Sequence, residues 1–312
     1  MSRRLVIVLS TSTLALAVAL TVLGVGEKKG ALPDWQALIL GLTQGLTELL
    51  PISSSGHLIL VPWLGDWRFL EAHPDFNKTF DVALHLGTLV AVVAYFWSDL
   101  VRLLRAWIVS VRRRRIASTD ERLAWLIFVA TIPAAIAGVA GESFIESHLG
   151  APWQIAIALA VFGVLLWLAD RRPAEREMTK LRYRDALGIG FAQAVSLIPG
   201  VSRSGITITV ARYLKLDRDS AARFSFLLLV PIVLGAASLK AIKDLLLASP
   251  PAGWGGPFAV GMLAALGSGL LAIWGLLGYV RRHDYSPFVI YRLIVAAFVL
   301  LLIATSVRSA TF

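Results

Sequence analysis

The sequence contains no cysteine, which excludes disulfide bonds and thiolate chemistry. It also contains few charges, since 16% of the 312 residues are charged whereas 57% are hydrophobic. The mean hydropathy is +0.73, well above what a soluble globular protein needs to fill its core. The composition therefore predicts an integral membrane protein.

Apolar runs long enough to cross a bilayer recur along the chain. A helix needs about 20 residues to cross roughly 30 Å of hydrocarbon. Seven runs reach about that length, so the sequence predicts an all-α polytopic membrane protein. The runs lie near residues 5–25, 82–101, 123–141, 153–169, 224–247, 258–280 and 288–307.

Basic residues outnumber acidic ones by 30 to 20, which gives a net charge of +10. No basic face interleaved with aromatic residues occurs, so we predict no nucleic-acid partner. The cations instead flank the predicted spans, and the positive-inside rule places them in the cytosol. The N-terminus is then cytosolic, the C-terminus is external, and the loop holding Glu142, Glu146 and His148 is external. The flanking cations are Arg3, Arg4, Arg102, Arg105, Arg112 to Arg115, Arg171, Arg172, Arg176, Lys180, Arg182, Arg184, Arg281 and Arg282.

The N-terminal segment resembles a signal peptide, because two arginines precede an apolar run. The run reaches Val25, however, and is longer than the usual 7 to 15 residues of a signal-peptide core. Residues 1–30 are therefore predicted to be an extra transmembrane anchor, with a cleaved signal as the alternative. Residues 31–312 are predicted to form a single membrane domain.

Two polar segments of this domain are near-copies of each other. Each begins with glutamine, breaks at proline and passes through a serine-rich loop to glycine. Subtracting positions gives the same offset at both ends, because 193 − 44 and 205 − 56 both equal 149. The domain is thus predicted to consist of two halves, about 33–170 and 182–307. The first motif is Gln44-Gly45-Leu46-Thr47-Glu48-Leu49-Leu50-Pro51-Ile52-Ser53-Ser54-Ser55-Gly56-His57, and the second is Gln193-Ala194-Val195-Ser196-Leu197-Ile198-Pro199-Gly200-Val201-Ser202-Arg203-Ser204-Gly205.

The charge pattern also predicts the direction of each half. The span at 82–101 runs from outside to inside, whereas the span at 224–247 runs from inside to outside. The halves are therefore predicted to be inverted repeats. Each motif then forms a re-entrant hairpin of broken helix, one from each face, and their tips meet near the middle of the membrane. Doubled, proline- and glycine-broken segments of this kind indicate a binding site.

In the first motif, Gln44 and Glu48 share one face of a helix over residues 35–50, and Pro51 ends that helix. Three consecutive serines then begin a short second helix. A helix start offers free N–H groups and a partial positive charge, both suited to a phosphate oxygen. Non-helical backbone at membrane depth must be buried or must line a wet cavity. The first motif therefore predicts an anion site inside the protein.

The second motif repeats this design with Arg203 at the start of a helix. A charge at mid-bilayer costs about 2.5 to 3.5 kcal/mol on insertion scales, so both Glu48 and Arg203 require an explanation. They could form a structural ion pair that joins the two halves. An ion pair alone, however, needs neither three serines nor His57. Together these side chains are a nucleophile, a proton acceptor and an anion clamp.

Each residue taken alone also has a structural interpretation. Ser54 can be a helix cap, His57 a hydrogen-bonded interior histidine, and Gln44 a partner of a neighbouring helix. Asp81 and His85 stand four apart at the head of a span and can form a local pair. They are weak candidates for supporting the site.

The two motifs, in this order, closely resemble the undecaprenyl-diphosphate phosphatase family, integral membrane proteins linked to bacitracin resistance. The similarity continues through Phe224-Ser225-Phe226-Leu227-Leu228 with Pro231 and through Tyr291-Arg292, and it covers roughly residues 33–307. It implies removal of the terminal phosphate from undecaprenyl diphosphate in the bacterial cell membrane. The product is the lipid carrier for peptidoglycan and other wall polymers. The N-terminal span has no counterpart in the family pattern.

The resemblance also implies roles for residues. Glu48, Ser54, His57 and Arg203 match the catalytic positions, with Ser54 as the nucleophile and His57 or Glu48 taking its proton. A phosphohistidine at His57 is the rival scheme. A divalent cation, Mg²⁺ or Ca²⁺, is expected on Glu48 and Gln44, although an amide at position 44 weakens any two-carboxylate metal site. The expected substrate-binding residues are Ser53, Ser55, Ser202, Ser204 and Thr207.

The expected partners are a polyprenyl diphosphate lipid and the surrounding membrane lipids, with a homodimer as one option. A lipid-phosphate flippase is the main alternative, because inverted repeats with broken helices are typical of carriers. A second phosphatase superfamily shares the Ser55-Gly56-His57 element. It requires a further histidine with an aspartate, for which His283 and Asp284 are the only weak candidates after residue 205.

Overall fold

The computed structural model describes residues 1–23, 32–240 and 255–310, and these are helical with no β-strand. Thirteen α-helices and one short 3₁₀ helix at Met178–Lys180 make up the described part. The α-helices are α1 (Arg3–Leu23), α2 (Asp34–Leu49), α3 (Ser54–Gly65), α4 (Arg68–Ala72), α5 (Pro74–Tyr95), α6 (Trp97–Arg113), α7 (Thr119–His148), α8 (Pro152–Asp170), α9 (Tyr183–Val195), α10 (Arg203–Tyr213), α11 (Arg218–Lys240), α12 (Gly255–Val280) and α13 (Ser286–Ala304).

Seven of these helices are long and apolar enough to cross a membrane, namely α1, α5, α7, α8, α11, α12 and α13. Each contains most of one predicted apolar run, which confirms the seven spans and a multi-pass membrane protein. The predicted limits of one span were wrong. The helix expected at 82–101 begins at Pro74, which occupies its first turn, and it ends at Tyr95.

One segment predicted to be a loop is helical, and so is most of the basic stretch after residue 101, for which no element was predicted. The run 142–148 belongs to α7, because its charges do not break a helix and the chain turns only at Gly150, whose φ is +119°. The basic run after residue 101 lies in α6, where apolar residues recur at helical spacing and Leu103 is buried. Only Arg114, whose φ is +51°, ends that helix.

The two motifs have the same backbone conformation. In each, a serine with positive φ precedes the second helix, Ser53 at +78° and Ser202 at +76°. Each second helix is followed by another left-handed residue, Asp66 at +54° and Lys215 at +67°. Because 202 − 53 and 215 − 66 both equal 149, the duplication extends from the sequence to the chain path. The inverted direction of the halves stays a prediction.

The helices of the two halves exchange partners. Helix α12 packs along α2 and α5, and α7 packs along α9 and α11. Helices α8 and α13 pack against each other, as do α5 and α11. Helices α2, α9 and α10 therefore each lie against a long apolar helix of the other half, namely α12, α7 and α8, whereas α3 packs on α2 and α8 of its own half. Helix α1 lies outside this arrangement and packs mainly on α12.

Close contact between α2 and α12 depends on small residues. Gly41 and Gly45 are spaced four apart on α2, the pattern that lets membrane helices approach closely. A β-carbon on Gly45 would lie 2.0 Å from Ser268 Oγ and 2.4 Å from the Ala265 carbonyl oxygen. This contact holds the helix that carries Gln44 and Glu48.

Candidate active site

The tips of the two helical hairpins, α2–α3 and α9–α10, touch each other. The hydroxyl oxygen of Ser53 accepts hydrogen bonds from the Gly56 N–H at 3.3 Å and from the Gly200 N–H at 3.2 Å. In the other direction, the Ser204 hydroxyl donates to the Leu50 carbonyl at 3.0 Å. One serine from each tip thus bonds the backbone of the other, so the two motifs form one site.

Both capping serines are held in unusual backbone conformations. Positive φ at a residue other than glycine costs of the order of 1 to 3 kcal/mol and persists only where the surroundings enforce it. Ser53 is completely buried and its side chain caps α3. Ser202 caps α10 in the same way through the Gly205 N–H at 3.0 Å. The first N–H groups of α3 and α10 have no intrahelical partner, as at the start of any helix.

The carboxylate of Glu48 joins the two halves chemically. Its Oε2 accepts a hydrogen bond of 2.5 Å from the Ser54 hydroxyl, within the range of charge-assisted O–H···O⁻ bonds. Its Oε1 accepts from Arg203 Nε at 3.2 Å and Nη2 at 3.0 Å. All three side chains are largely buried. The structure thus brings together a hydroxyl, a carboxylate and a guanidinium, three of the four predicted catalytic groups.

Helix α11 completes the setting of Arg203. Arg203 Nη1 donates to the Ser225 carbonyl at 2.9 Å, and the Thr207 hydroxyl lies 2.7 Å from the Ser225 hydroxyl. Ser225 was not predicted as a site residue; it belongs to a segment that carries the family resemblance. Its position between Phe224 and Phe226, at the start of the apolar part of α11, was the available signal. The Ser225 carbonyl holds Arg203 Nη1, the nitrogen of the guanidinium that does not contact Glu48.

The fourth predicted group, His57, lies beside the triad but has other partners. Its Nδ1 is 2.7 Å from the Ser53 carbonyl, and because a carbonyl only accepts, Nδ1 carries the proton. Its Nε2 then accepts from the Tyr291 hydroxyl at 2.8 Å. Tyr291 was not predicted as a site residue. Both imidazole nitrogens are therefore engaged, and the hydrogen-bond partner of Ser54 is Glu48.

Of the weak candidates, His85 reaches the site. Its Nε2 lies 3.6 Å from Glu48 Oε2, and its Nδ1 bonds the backbone carbonyl of Asp81 at 2.7 Å. About a third of the His85 side chain is exposed. His283, in contrast, bonds the Tyr279 carbonyl on the exposed turn after α12 and contacts none of the residues above. The arrangement required by the second phosphatase superfamily is therefore absent from the described residues.

A buried arginine ties the tips to the rest of the protein. Arg292 is 0% exposed, and every one of its described hydrogen bonds goes to a backbone carbonyl. The acceptors come from both tips and from α8. They are Pro51 at 3.1 Å, Ala158 at 3.4 Å, Leu159 at 2.9 Å, Gly200 at 3.0 Å and Val201 at 3.1 Å.

The hydroxyls predicted to bind substrate lie on the same two tips. Ser55, the least enclosed, is 3.5 Å from the Ser53 hydroxyl. Ser202 and Ser204 lie 3.2 Å apart, and Thr207 donates to the Arg203 carbonyl at 2.8 Å. Apart from Ser55, these side chains shape the tips through internal hydrogen bonds.

The oxygen atoms available for a cation are few. No cluster of three or more His, Cys, Asp or Glu side chains occurs among residues 1–23, 32–240 and 255–310. Gln44 donates to Glu48 Oε2 at 3.4 Å, while its own Oε1 is buried without a partner. One carboxylate and one unpaired amide oxygen suit a hard cation that takes its other ligands from water and phosphate, as Mg²⁺ does.

Comparison with known proteins identifies the family. Residues 37–298 match the family model described as "BacA: Bacitracin resistance protein BacA". A protein of Geobacter sulfurreducens named undecaprenyl-diphosphatase is 48% identical over 266 residues, covering 85% of this chain and 96% of that protein. Proteins with the same name from Moorella thermoacetica and Desulforudis audaxviator are 46% and 43% identical, covering 85% and 86% of this chain and 95% and 97% of their own lengths. The chain belongs to the BacA family of bacitracin resistance proteins.

Proposed function

We propose that this protein hydrolyses undecaprenyl diphosphate to undecaprenyl phosphate and inorganic phosphate. The observation that carries the proposal is the 2.5 Å hydrogen bond from Ser54 to Glu48, with Arg203 on the other carboxylate oxygen. An activated hydroxyl beside a fixed cation is what phosphoryl transfer requires. The names of the relatives identify the substrate.

In the proposed reaction, Ser54 Oγ attacks the terminal phosphorus as its proton passes to Glu48. The bond between phosphorus and the bridging oxygen breaks, and undecaprenyl phosphate leaves with that oxygen. Water then attacks the phosphoserine, gives up a proton, and releases inorganic phosphate as Ser54 regains its hydrogen. Glu48 is suited to both proton transfers because it already accepts the Ser54 hydrogen bond.

Arg203 is proposed to stabilise the charge on the transferring phosphoryl group. Nε and Nη2 bond Glu48 and Nη1 bonds Ser225, so the guanidinium is held on both sides before substrate arrives. Such preorganised donors contribute most of the catalysis in phosphoryl transfer. The first N–H groups of α3 and α10 would add further donors.

Ser54 is favoured over His57 as the nucleophile. Attack by His57 requires a free ring nitrogen, yet Nδ1 carries a proton and Nε2 accepts from Tyr291. We assign His57 to orienting the tip of the first motif, through its bond to the Ser53 carbonyl. Its imidazole also brings Tyr291 of α13 to the site.

A divalent cation, Mg²⁺ or Ca²⁺, would be held by Glu48 and Gln44. When bound, it would neutralise charge on the phosphate groups. The Gln44 Oε1 atom supports this assignment, because it is buried and has no other partner. All proposed site residues come from one chain, so the reaction does not require a homodimer.

The proposed role is recycling of the lipid carrier in the cell membrane, which would confer bacitracin resistance. By the positive-inside rule, the N-terminus is cytosolic and the C-terminus external. In that orientation the first hairpin enters from outside and the second from the cytosol. Cysteine-accessibility labelling at Ser2 and Ser309, substituted singly in this cysteine-free chain, would measure both termini.

Release of inorganic phosphate from undecaprenyl diphosphate by the purified protein tests the function. We expect turnover that chelator suppresses, abolition by Ser54→Ala, and little effect of the control Ser98→Ala, an exposed serine of α6 outside the site. Mass spectrometry of acid-quenched enzyme should find phosphate on Ser54. Substantial kcat in Ser54→Ala would remove the serine from the mechanism. Tight lipid binding without any phosphate release would instead favour the flippase.

A further inference from the structure

A second group of arginines surrounds a cavity at the other end of α10 from Arg203. The cavity has a volume of about 450 Å³ and lies between the end of α8, the end of α10 and the starts of α11 and α13. Arg212, which lines it, stands nine residues after Arg203, or about 14 Å along the helix. The basic cavity, lined by Trp167, Arg171, Arg172, Arg212, Arg218 and Ser286, is therefore separate from the candidate active site.

Two of the arginines are bound to Asp170, but to different extents. Arg212 is 2% exposed and bonds Asp170 Oδ1 at 2.9 Å and several backbone carbonyls, so it is structural. Arg218 is a third exposed and uses only its Nε, at 2.8 Å from the same oxygen. Its two terminal nitrogens have no further partner among the described residues. They form the edge of a guanidinium that can bind an oxyanion through two hydrogen bonds.

The other two arginines are held by aromatic rings instead of carboxylates. Arg171 lies over the ring of Trp167 at 4.0 Å, and Arg172 over Tyr213 at 4.4 Å. Neither forms an ion pair within the described parts of the chain. Stacking fixes a guanidinium while leaving its N–H groups available. These two side chains are therefore preorganised donors on the rim of the cavity.

The charges of the cavity do not cancel. Four arginines face Asp170 and Asp284, which leaves a surplus of two positive charges. Asp284 is the acidic group on the rim, and its Oδ1 accepts from the Ser286 N–H at 3.1 Å. A doubly charged oxyanion would balance this surplus.

An apolar surface leads to the cavity along α8, which is a membrane span. Apolar side chains on both sides of Trp167 in the sequence of α8 are exposed and would contact lipid. They are Val161 at 49%, Val164 at 42%, Leu165 at 41% and Leu168 at 52% exposed. A ligand that combines a phosphate group with an acyl chain fits both surfaces.

We propose that the basic cavity binds the phosphate headgroup of an anionic membrane lipid. Basic pockets between transmembrane helices are typical sites for such headgroups. The site is independent of the proposed hydrolysis, because none of the residues that line the basic cavity contacts Glu48 or Ser54. Free inorganic phosphate shares the recognised chemistry, and the experiment distinguishes the two sources.

The test titrates short-chain phosphatidic acid into the purified full-length protein in phosphatidylcholine nanodiscs and measures Kd. We expect Arg171→Gln with Arg172→Gln to raise Kd at least about tenfold. The control, Arg112→Gln with Arg113→Gln, removes the same charge from exposed arginines at the end of α6 and should change Kd less than about twofold. All variants keep Glu48, Ser54 and Arg203, so binding at the candidate active site contributes equally.

A third variant, Trp167→Leu, keeps every charge but removes the ring under Arg171. It should raise Kd about threefold, a change that bulk electrostatics would not produce. Equal weakening by both double variants, or no weakening by either, would overturn the proposal. Inorganic phosphate that competes at the same concentration as the lipid would overturn the lipid assignment. Matched unfolding temperatures of the variants confirm that folding is unaffected.

Discussion

The carboxylate of Glu48 accepts two hydrogen bonds from the guanidinium of Arg203, at 3.2 and 3.0 Å, across 155 positions of the chain. The pair connects the two duplicated motifs at the point where Ser54 is hydrogen-bonded. It is both the structural link and the proposed catalytic centre. The two roles of the Glu48–Arg203 pair are separable by mutation. The structural link needs only two side chains that bond each other, whereas catalysis needs a positive charge that also contacts the phosphate.

We expect Arg203→Ala to lower kcat/KM by about 10² to 10³, as the loss of one preorganised charge-stabilising donor does elsewhere. The loss should exceed that of any single change at Ser53, Ser55, Ser202 or Ser204. Arg203→Lys keeps the positive charge but loses the planar pair of N–H donors, and it should recover part of the activity. Rates of phosphate release by the purified variants give these kcat/KM values. Near-normal activity in Arg203→Ala would show that the pair is only structural.

Tyr291→Phe should lower kcat/KM by about 3- to 10-fold, because it removes one hydrogen bond to His57 Nε2 without changing shape. In a His57→Ala background the same change should cost nothing more, since the two residues act together. Tyr279→Phe, on the neighbouring helix α12, is the control. Fully additive losses in the double variant would contradict the proposed coupling.

Gln44→Glu should strengthen cation binding, because a second carboxylate beside Glu48 adds a charged oxygen ligand. We expect the half-maximal Mg²⁺ or Ca²⁺ concentration for activity to fall several-fold. Without cation, repulsion between the two carboxylates should lower the unfolding temperature, and cation should restore it. Gln193→Glu, at the equivalent position of the second motif, should give no such rescue. An unchanged cation dependence of both readouts in Gln44→Glu would remove this residue from the site.

Gly45→Ala should destabilise the protein by about 1 to 3 kcal/mol, as overpacking commonly does. The added β-carbon would meet the Ala265 carbonyl oxygen at 2.4 Å and the Gly269 nitrogen at 2.7 Å, and backbone cannot move aside cheaply. Gly188→Ala in α9 is the matched control, since nothing lies within 4 Å of its added carbon. That change should be neutral or stabilising, because alanine favours helix. Thermal unfolding in detergent compares the two, and equal unfolding temperatures would contradict the close contact.

The elements set by local chemistry were predictable. Pro51 and the serines after it specify where α2 ends and α3 begins, and the apolar runs specify the seven spans. Contacts between distant elements were not predictable, because nothing local in α13 indicates that Tyr291 meets His57. That Ser225 meets Arg203 could not be predicted either, although a polar residue among apolar ones marked the position. Helix α6 was not predicted for another reason, since its arginines make it too polar for a span although its apolar residues recur at helical spacing.

The carbonyl cage of Arg292 bears on how this molecule can move. A carrier that opens alternately to two sides must rock its halves apart. Here that motion would pull Pro51 away from Gly200 and strand a fully enclosed cation, a loss of several kcal/mol for each opening. The contact between the two tips around Arg292 is therefore better suited to staying closed during each reaction cycle. A prenyl chain would then enter laterally from the bilayer, while the reaction takes place beside a contact between the tips that does not open.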